Sequence, residues 1–340
     1  RFVRLVGDAS WYSKRHGEAT EERLQFNARN RIPTWTVRSR DGPVASDHPF
    51  VDFGEDGGPA LAIGRFPAAD EGEVRAMVDR TIAYLDDAPL GPWRARVLLV
   101  SDDERNLASR NDLLVDRAHR AGLASTELLP RDGAPTGVHQ QRFRSALDDG
   151  ALVLHFFGHG GRFMWQTAPP RGGSAEHLFG MDDLDRLAPS SRLPVILSMS
   201  CNTGPFDHPS ADSLAEKFLR IPDRGAIAML AASARNSPSI AFTRSIVEGV
   251  LAGHPIGEAI RTAKADRPQL DAELFYNLFG DPALIAKRPH SAVDLRPVGP
   301  GLREIEVGLP EALGGGRMHV EWSGRGARTV VREIPLPVSG

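Results

Sequence analysis

Short apolar runs recur along the chain at 2–6 (FVRLV), 60–66 (ALAIGRF), 95–100 (ARVLLV), 124–129, 151–156 (ALVLHF), 194–199 (PVILSM) and 225–230 (GAIAML). Each is too short for a buried helix, so each predicts a strand. Between them the period changes. After Asp70, placed to cap, Val74, Met77, Val78, Ile82 and Leu85 recur at three- and four-residue spacing until Pro89, Gly91 and Pro92, which predicts one amphipathic helix. Further helices are expected at about 107–121, 138–148, 182–187, 211–219, 239–252, 256–266 and 271–278, with a last short strand at 283–286. Continuous apolar strands alternating with helices predict an α/β fold whose mostly parallel sheet is flanked by helices on both faces. The polar, Gly/Pro-rich stretch between the first two strands, with Ser39-Arg-Asp-Gly-Pro43 and Glu55-Asp-Gly-Gly-Pro59, reads mostly as loop. From Pro289 helical periodicity stops and β-type runs follow (Glu304 to Val307, Met318 to Trp322, Thr329 to Ile334), predicting a small β module, incomplete at Gly340. The expected division is 1–90, 91–288 and 289–340, with a linker at about 88–93.

Composition narrows the function classes. With 41 Lys and Arg against 44 Asp and Glu, the net charge of −3 supplies no global basic field for nucleic acid or an anionic membrane. The longest apolar stretch, Gly225 to Ala234, is half of what a membrane-spanning helix needs. Cys201 is the single cysteine, so neither an intrachain disulfide nor a thiolate metal cluster is available. The chain opens at Arg1 directly on a strand, which we read as a piece cut from a longer precursor.

Two strand ends carry unusual chemistry. Leu152-Val-Leu-His-Phe-Phe-Gly-His-Gly-Gly161 breaks into glycines around His159, and Pro194-Val-Ile-Leu-Ser-Met-Ser-Cys-Asn-Thr-Gly204 breaks just after Cys201. In open parallel sheets ligands collect beyond the carboxyl ends of strands. If the two strands are neighbours, an imidazole and a thiol meet there, the pair that nucleophilic catalysis by a thiolate requires, and the glycines let backbone N–H groups approach an oxyanion. A lone cysteine is more often inert packing; the pairing with His159 at a matching strand end is what favours chemistry. A metal site drawn from His155, His159 and His208 is disfavoured, since no acidic partner stands at ligand spacing.

These two segments, together with Phe275-Tyr-Asn-Leu-Phe-Gly-Asp-Pro-Ala-Leu284 and upstream Leu5-Val-Gly-Asp8, Gly64-Arg-Phe-Pro67, Asp79-Arg-Thr-Ile-Ala-Tyr84 and Trp93, resemble the gingipain-type cysteine peptidases of the caspase-like clan over about residues 3–288. The resemblance implies two caspase-like α/β subdomains followed by an immunoglobulin-like β module, and a strand–helix portion before Arg1. It implies a cysteine endopeptidase in which Cys201 is the nucleophile, His159 the base, and the N–H groups of Gly160 and Cys201 the oxyanion hole. Counting from Trp93 lands on Glu104 for an acid assisting the histidine, a position where a carboxylate also serves the start of a helix. Asp112 is the nearest residue to the acid that receives arginine in arginine-specific members, with a surface helical role as its plainer reading. Arg162 stands where some members carry an acid and would set positive charge beside the site. Trp165 and Phe163 are placed to wall a substrate cleft or to cover the sheet edge. Asp207 and Asp212 read as caps for the helix near Ala211, and Asp281 as a partner of local amides.

The implied substrate is a protein or peptide, with no nucleic acid and no membrane span. No cofactor is required for catalysis, a structural calcium stays open, and the implied location is secreted or at the cell surface. Two other functions remain: a catalytically silent caspase-like scaffold that binds a protein partner, and a peptidyl-transferase using the same dyad.

Overall fold

The computed structural model describes the chain apart from residues 12–29, 54–57, 87–90, 103–104, 129–134, 167–176, 237–239, 267–273, 289–291, 300–301, 309–316, 323–329 and 336–340. Its centre is an eight-stranded sheet. The strands are β1 (Phe2–Val6), β4 (Ala62–Phe66), β5 (Arg96–Ser101), β6 (Ala124–Leu128), β7 (Val153–Phe157), β11 (Val195–Met199), β12 (Ala228–Ala232) and β13 (Tyr276–Phe279). Their order across the sheet is β1-β4-β13-β12-β11-β7-β5-β6. Every pairing is parallel except β12 with β13. Strands β1, β4 and β13 therefore run opposite to the other five, and the start of β13 lies at the same edge as the ends of β7, β11 and β12.

Period-two alternation divides the strand side chains between two apolar layers. Leu99, Phe157, Leu197, Met199 and Leu230 face α2 (Arg105–Arg120), α6 (Ile240–Leu251) and α7 (Ile256–Ala265). Val100, Leu154, Phe156, Ile196 and Met229 face α1 (Glu71–Asp86), α3 (Thr136–Asp149) and α5 (Leu214–Arg220). Asp70 caps α1 as expected, its Oδ1 accepting the Glu73 N–H at 2.9 Å. For α5 the expectation is corrected. Its cap is Ser213, whose Oγ accepts from the Glu216 N–H while Glu216 returns the bond to the Ser213 N–H. Asp212 instead pairs with Arg220.

Three further expectations are corrected. Residues 276–279 are strand, not helix: the run Tyr-Asn-Leu-Phe is fully buried between β12 and β4, where the ladder decides what an apolar run of ambiguous period becomes. Residues 284–288 carry no strand. The segment read as loop contains a hairpin, β2 (Trp35–Ser39) with β3 (Gly42–Ser46), closed by the two-residue turn Arg40-Asp41. A second small antiparallel sheet joins β8 (His159–Gly161), β9 (Met164–Gln166) and β10 (His177–Gly180), followed by the short α4 (Met181–Leu184). Beyond 289 the chain forms two antiparallel pairs, β14 (Ala292–Gly299) with β15 (Leu302–Gly308) and β16 (Arg317–Trp322) with β17 (Val330–Pro335). That is β structure, as the change of texture predicts, and it does not establish an immunoglobulin-like sandwich. No helix among the described residues is long and apolar enough to cross a membrane.

Candidate active site

Strands β7 and β11 are hydrogen-bonded neighbours in parallel register, with Phe157 opposite Met199. His159 and Cys201 each stand two residues past that last pair, and the Gly158 N–H still reaches the Met199 carbonyl at 3.4 Å. The sheet thus brings both residues out at one edge on adjacent strands, as the sequence predicts. His159 is half exposed, with 49% of its side chain accessible. Cys201 is partly buried.

The turn that carries Cys201 is held from below by buried hydroxyls. Ser198 Oγ lies 3.0 Å from Ser200 Oγ and 2.9 Å from Thr203 Oγ1, and accepts the Trp165 Nε1–H at 2.8 Å. Asn202, next after the cysteine, adopts φ +52°, a left-handed conformation that asparagine tolerates better than most side chains, and this turns the chain sharply away from the strand. Asn236, beyond β12, borders the sulfur: its carbonyl accepts the Cys201 S–H at 3.4 Å and its N–H lies 3.5 Å from Sγ. Beside it the exposed Arg235 pairs with Asp41 at the tip of the β2–β3 hairpin. That hydrogen bond, and to a smaller extent the nearby Cys201, raise the Arg235 pKa.

Among the described residues the acid next to His159 is Asp102, which the sequence reading missed. It follows β5, the strand on the far side of β7 from β11. Its side chain is fully buried, its Oδ2 accepts the His159 backbone N–H at 2.9 Å, and the same oxygen lies 3.9 Å from His159 Nε2. A Cβ at position 158 would come within 2.8 Å of that oxygen, so glycine there is what allows the carboxylate to approach. Glu104 lies outside the described residues. At position 160 a Cβ would meet Ser200 Oγ at 2.9 Å and the Cys201 carbonyl at 3.1 Å, so the loop of His159 and the turn of Cys201 touch at Gly160.

Other expected site residues are placed differently. Trp165 does not wall a cleft. It is 0% exposed, stacked on Phe156 at 4.7 Å and packed among Phe143, Phe179 and Phe218, because β9 turns it inward onto the sheet. Phe163 is exposed. The Arg162 guanidinium donates to the carbonyls of Pro205 and Ala211, tying down the segment after the nucleophile, and burial lowers its pKa. Asp112 is exposed on α2. Asp281 accepts the Ala283 N–H at 2.9 Å, the local role expected, and also pairs with Arg4 at 2.8 Å. The cavity of about 450 Å³ lined by Arg80, Tyr84 and Ile221 lies where β11 and β12 begin, at the opposite edge, and holds none of these residues.

His155 faces the layer of α2 and is completely buried, its Nδ1–H donated to Asn111 Oδ1 at 3.2 Å. His208 instead packs edge-on against Trp11. Among the described residues no three His, Cys, Asp or Glu are grouped to hold a metal ion. Burial pushes His155 down to about 3, against about 6.5 in an unfolded chain. The folded state therefore refuses a proton that the unfolded state accepts. This contribution to stability is complete above about pH 6.5 and is lost as pH falls toward 3, by up to roughly 1.4 kcal/mol per pH unit. The urea midpoint of the wild-type chain is expected to fall more steeply between pH 6.5 and pH 4 than that of His155→Leu. An unpaired Asn111 offsets the variant's curve without changing its slope, so parallel curves would show that the ring ionises freely in the folded protein.

Comparison with known proteins bears on the fold and the family. The structure is similar to the crystal structure of the Arg-specific cysteine proteinase gingipain R, with a TM-score of 0.65 and 17% identity over 98% of this chain and 83% of that one. It is similar also to the complex of Porphyromonas gingivalis RgpB pro- and mature domains, with a TM-score of 0.64 and 17% identity over 98% of this chain and 85% of that one. At such identity the likeness is one of fold. No curated protein matches the chain. Residues 1–286 match the family described as peptidase family C25, well over half of the chain. The chain therefore belongs to peptidase family C25, and with it to the cysteine peptidases.

Proposed function

We propose that this protein is a cysteine endopeptidase, similar in mechanism to the gingipains, with Cys201 as nucleophile and His159 as general base and acid. The observation that carries the reading is the register of β7 and β11, which sets the two residues at equivalent positions past one edge of the sheet. His159 takes the thiol proton and the sulfur attacks the peptide carbonyl. The oxyanion is received by the N–H groups of Gly160 and Cys201. On collapse His159 gives its proton to the leaving amine, and it then activates the water that hydrolyses the thioester. Asp102 fixes the main chain at His159 and lends negative charge near the ring. The chemistry needs no metal or organic cofactor. The substrate class is protein or peptide, and an exported protein is the setting that the family resemblance favours.

The test is cleavage of a peptide library varied at the residue before the scissile bond, by the reduced protein and by Cys201→Ala. Turnover is expected only with the cysteine present, and a preference for Arg or Lys would assign Asp112 to the pocket. Adding an amine nucleophile separates hydrolysis from peptidyl transfer by the products. No turnover by either protein, with Cys201 inert to iodoacetamide, would leave a scaffold that binds a partner.

A further inference from the structure

Asn236 touches the sulfur that the mechanism uses but has no part in the scheme above. We propose that it is a positioning residue that holds Cys201 and favours its thiolate, a role that rests on Cys201 being the nucleophile.

The loop after β12 is bound to the nucleophile turn at two points: the Asn202 N–H donates to the Ala234 carbonyl at 3.2 Å and the Gly204 N–H to the Ala232 carbonyl at 2.9 Å. This seats the main chain of residue 236 against Sγ, with the carbonyl at 3.4 Å as acceptor for the thiol and the N–H at 3.5 Å as donor to the sulfur. When the thiol proton passes to His159, the carbonyl loses a weak S–H donor while the N–H gains a charge-assisted bond to the anion, and the second effect is the larger.

The Asn236 side chain is what fixes that main chain. Its Nδ2 donates to the Ser200 carbonyl at 3.4 Å and to the Ala234 carbonyl at 3.1 Å, and its Oδ1 accepts from the Tyr276 hydroxyl at 3.0 Å. Tyr276 opens β13, is 1% exposed, and packs its ring 5.6 Å from that of Phe242, so the phenol is a rigid post. One side chain must donate on one side and accept on the other, which an amide does. An aspartate keeps the bond from Tyr276, cannot donate to Ser200, and places a negative charge beside a thiolate. An alanine does neither.

The experiment measures iodoacetamide alkylation against pH, with kcat and KM on a cleaved peptide, for wild type, Asn236→Ala, Asn236→Asp and Tyr276→Phe. In Asn236→Ala the alkylation profile is expected to move to higher pH, with alkylation at pH 7 and kcat each falling about tenfold and KM little changed. Asn236→Asp moves it further. Tyr276→Phe, which keeps the ring and its packing, moves it in the same direction by a smaller amount and carries the test if Asn236→Ala does not fold. Profiles of Asn236→Ala and Tyr276→Phe that superimpose on wild type overturn the assignment. Alkylation reads the sulfur without substrate, so the two readings fail separately. A shifted profile in a protein that cleaves no peptide supports the role of Asn236 at the sulfur and counts against the peptidase. An unshifted profile beside Cys201-dependent cleavage sinks the role of Asn236 alone.

Discussion

His159→Ala is expected to lower kcat by about 10³-fold or more while leaving the thermal midpoint within a degree or two of wild type. General acid–base catalysis by a positioned side chain contributes roughly 10²–10⁴-fold, and the proposed scheme uses one imidazole twice, for attack and for departure of the amine. The structural cost is small because the ring is half exposed and stands past the end of β7 rather than in it. Loss of activity can therefore be separated from loss of fold, which a buried catalytic residue rarely permits. On the proposed scheme, in which His159 and Cys201 act as a unit, the double variant His159→Ala/Cys201→Ala is expected to be no worse than Cys201→Ala alone. A single variant that keeps a tenth of wild-type kcat would mean that another group moves the proton, and Asp102 with its neighbours would be examined first.

Arg65→Met is expected to destabilise the fold by about 3–5 kcal/mol, the range for removing one member of a buried ion pair. Arg65 lies on β4 with no accessible surface, and its guanidinium forks onto Asp47 with two bonds of 2.7 Å. The same group donates to the carbonyls of Gly7 and Ile32 at 2.7 and 2.8 Å and lies 5.0 Å over the ring of Phe206. Methionine fills much of the volume but leaves the Asp47 carboxylate buried without its cation. Against a typical total stability of about 5–15 kcal/mol, that loss is severe. Adding Asp47→Leu removes the stranded charge and is expected to recover a large part of it, though not all, since two carbonyls still lack a donor. Urea midpoints of the wild type and the two variants measure this, and a cost below about 1 kcal/mol for the single change would show that water reaches the pair.

Much of this architecture can be read along the chain. Strands β5, β7, β11 and β12 are continuous apolar runs because both faces are covered, and such runs stand out against amphipathic helices. His159 and Cys201 were legible because each ends one of those runs. The misreadings have physical causes. Strands β8, β9 and β10, of three or four residues, are shorter than any period can reveal. Tyr276–Phe279 is fully buried, so its pattern does not tell strand from helix. The β2–β3 turn, Arg40-Asp41, lacks the Asn-Gly or Asp-Gly pair at its two central positions that marks a hairpin in sequence. Trp165 could not be assigned a side before the turn at Arg162 and Phe163 was known. Asp102 and Asn236 have no local signature, since one is a single acid at a strand end and the other an asparagine in a loop. Both gain meaning only when the sheet order brings β5 beside β7 and β12 beside β11.

The position of β13 has a consequence for how the protein is made. Strand β4 has as its inner neighbour in the sheet β13, about 210 residues later in the chain. At roughly 5–20 residues per second, β4 waits some 10–40 s for that neighbour to leave the ribosome. For that interval the β1–β4 pair offers an open ladder to any passing chain, the hazard of late long-range pairing. The five-stranded half can assemble in the meantime, but without Tyr276 to hold Asn236 the turn that carries Cys201 stays unfinished. Translation order thus completes the turn that carries Cys201 only after β13 has emerged, so a nascent chain carries Cys201 before it carries the means to hold it.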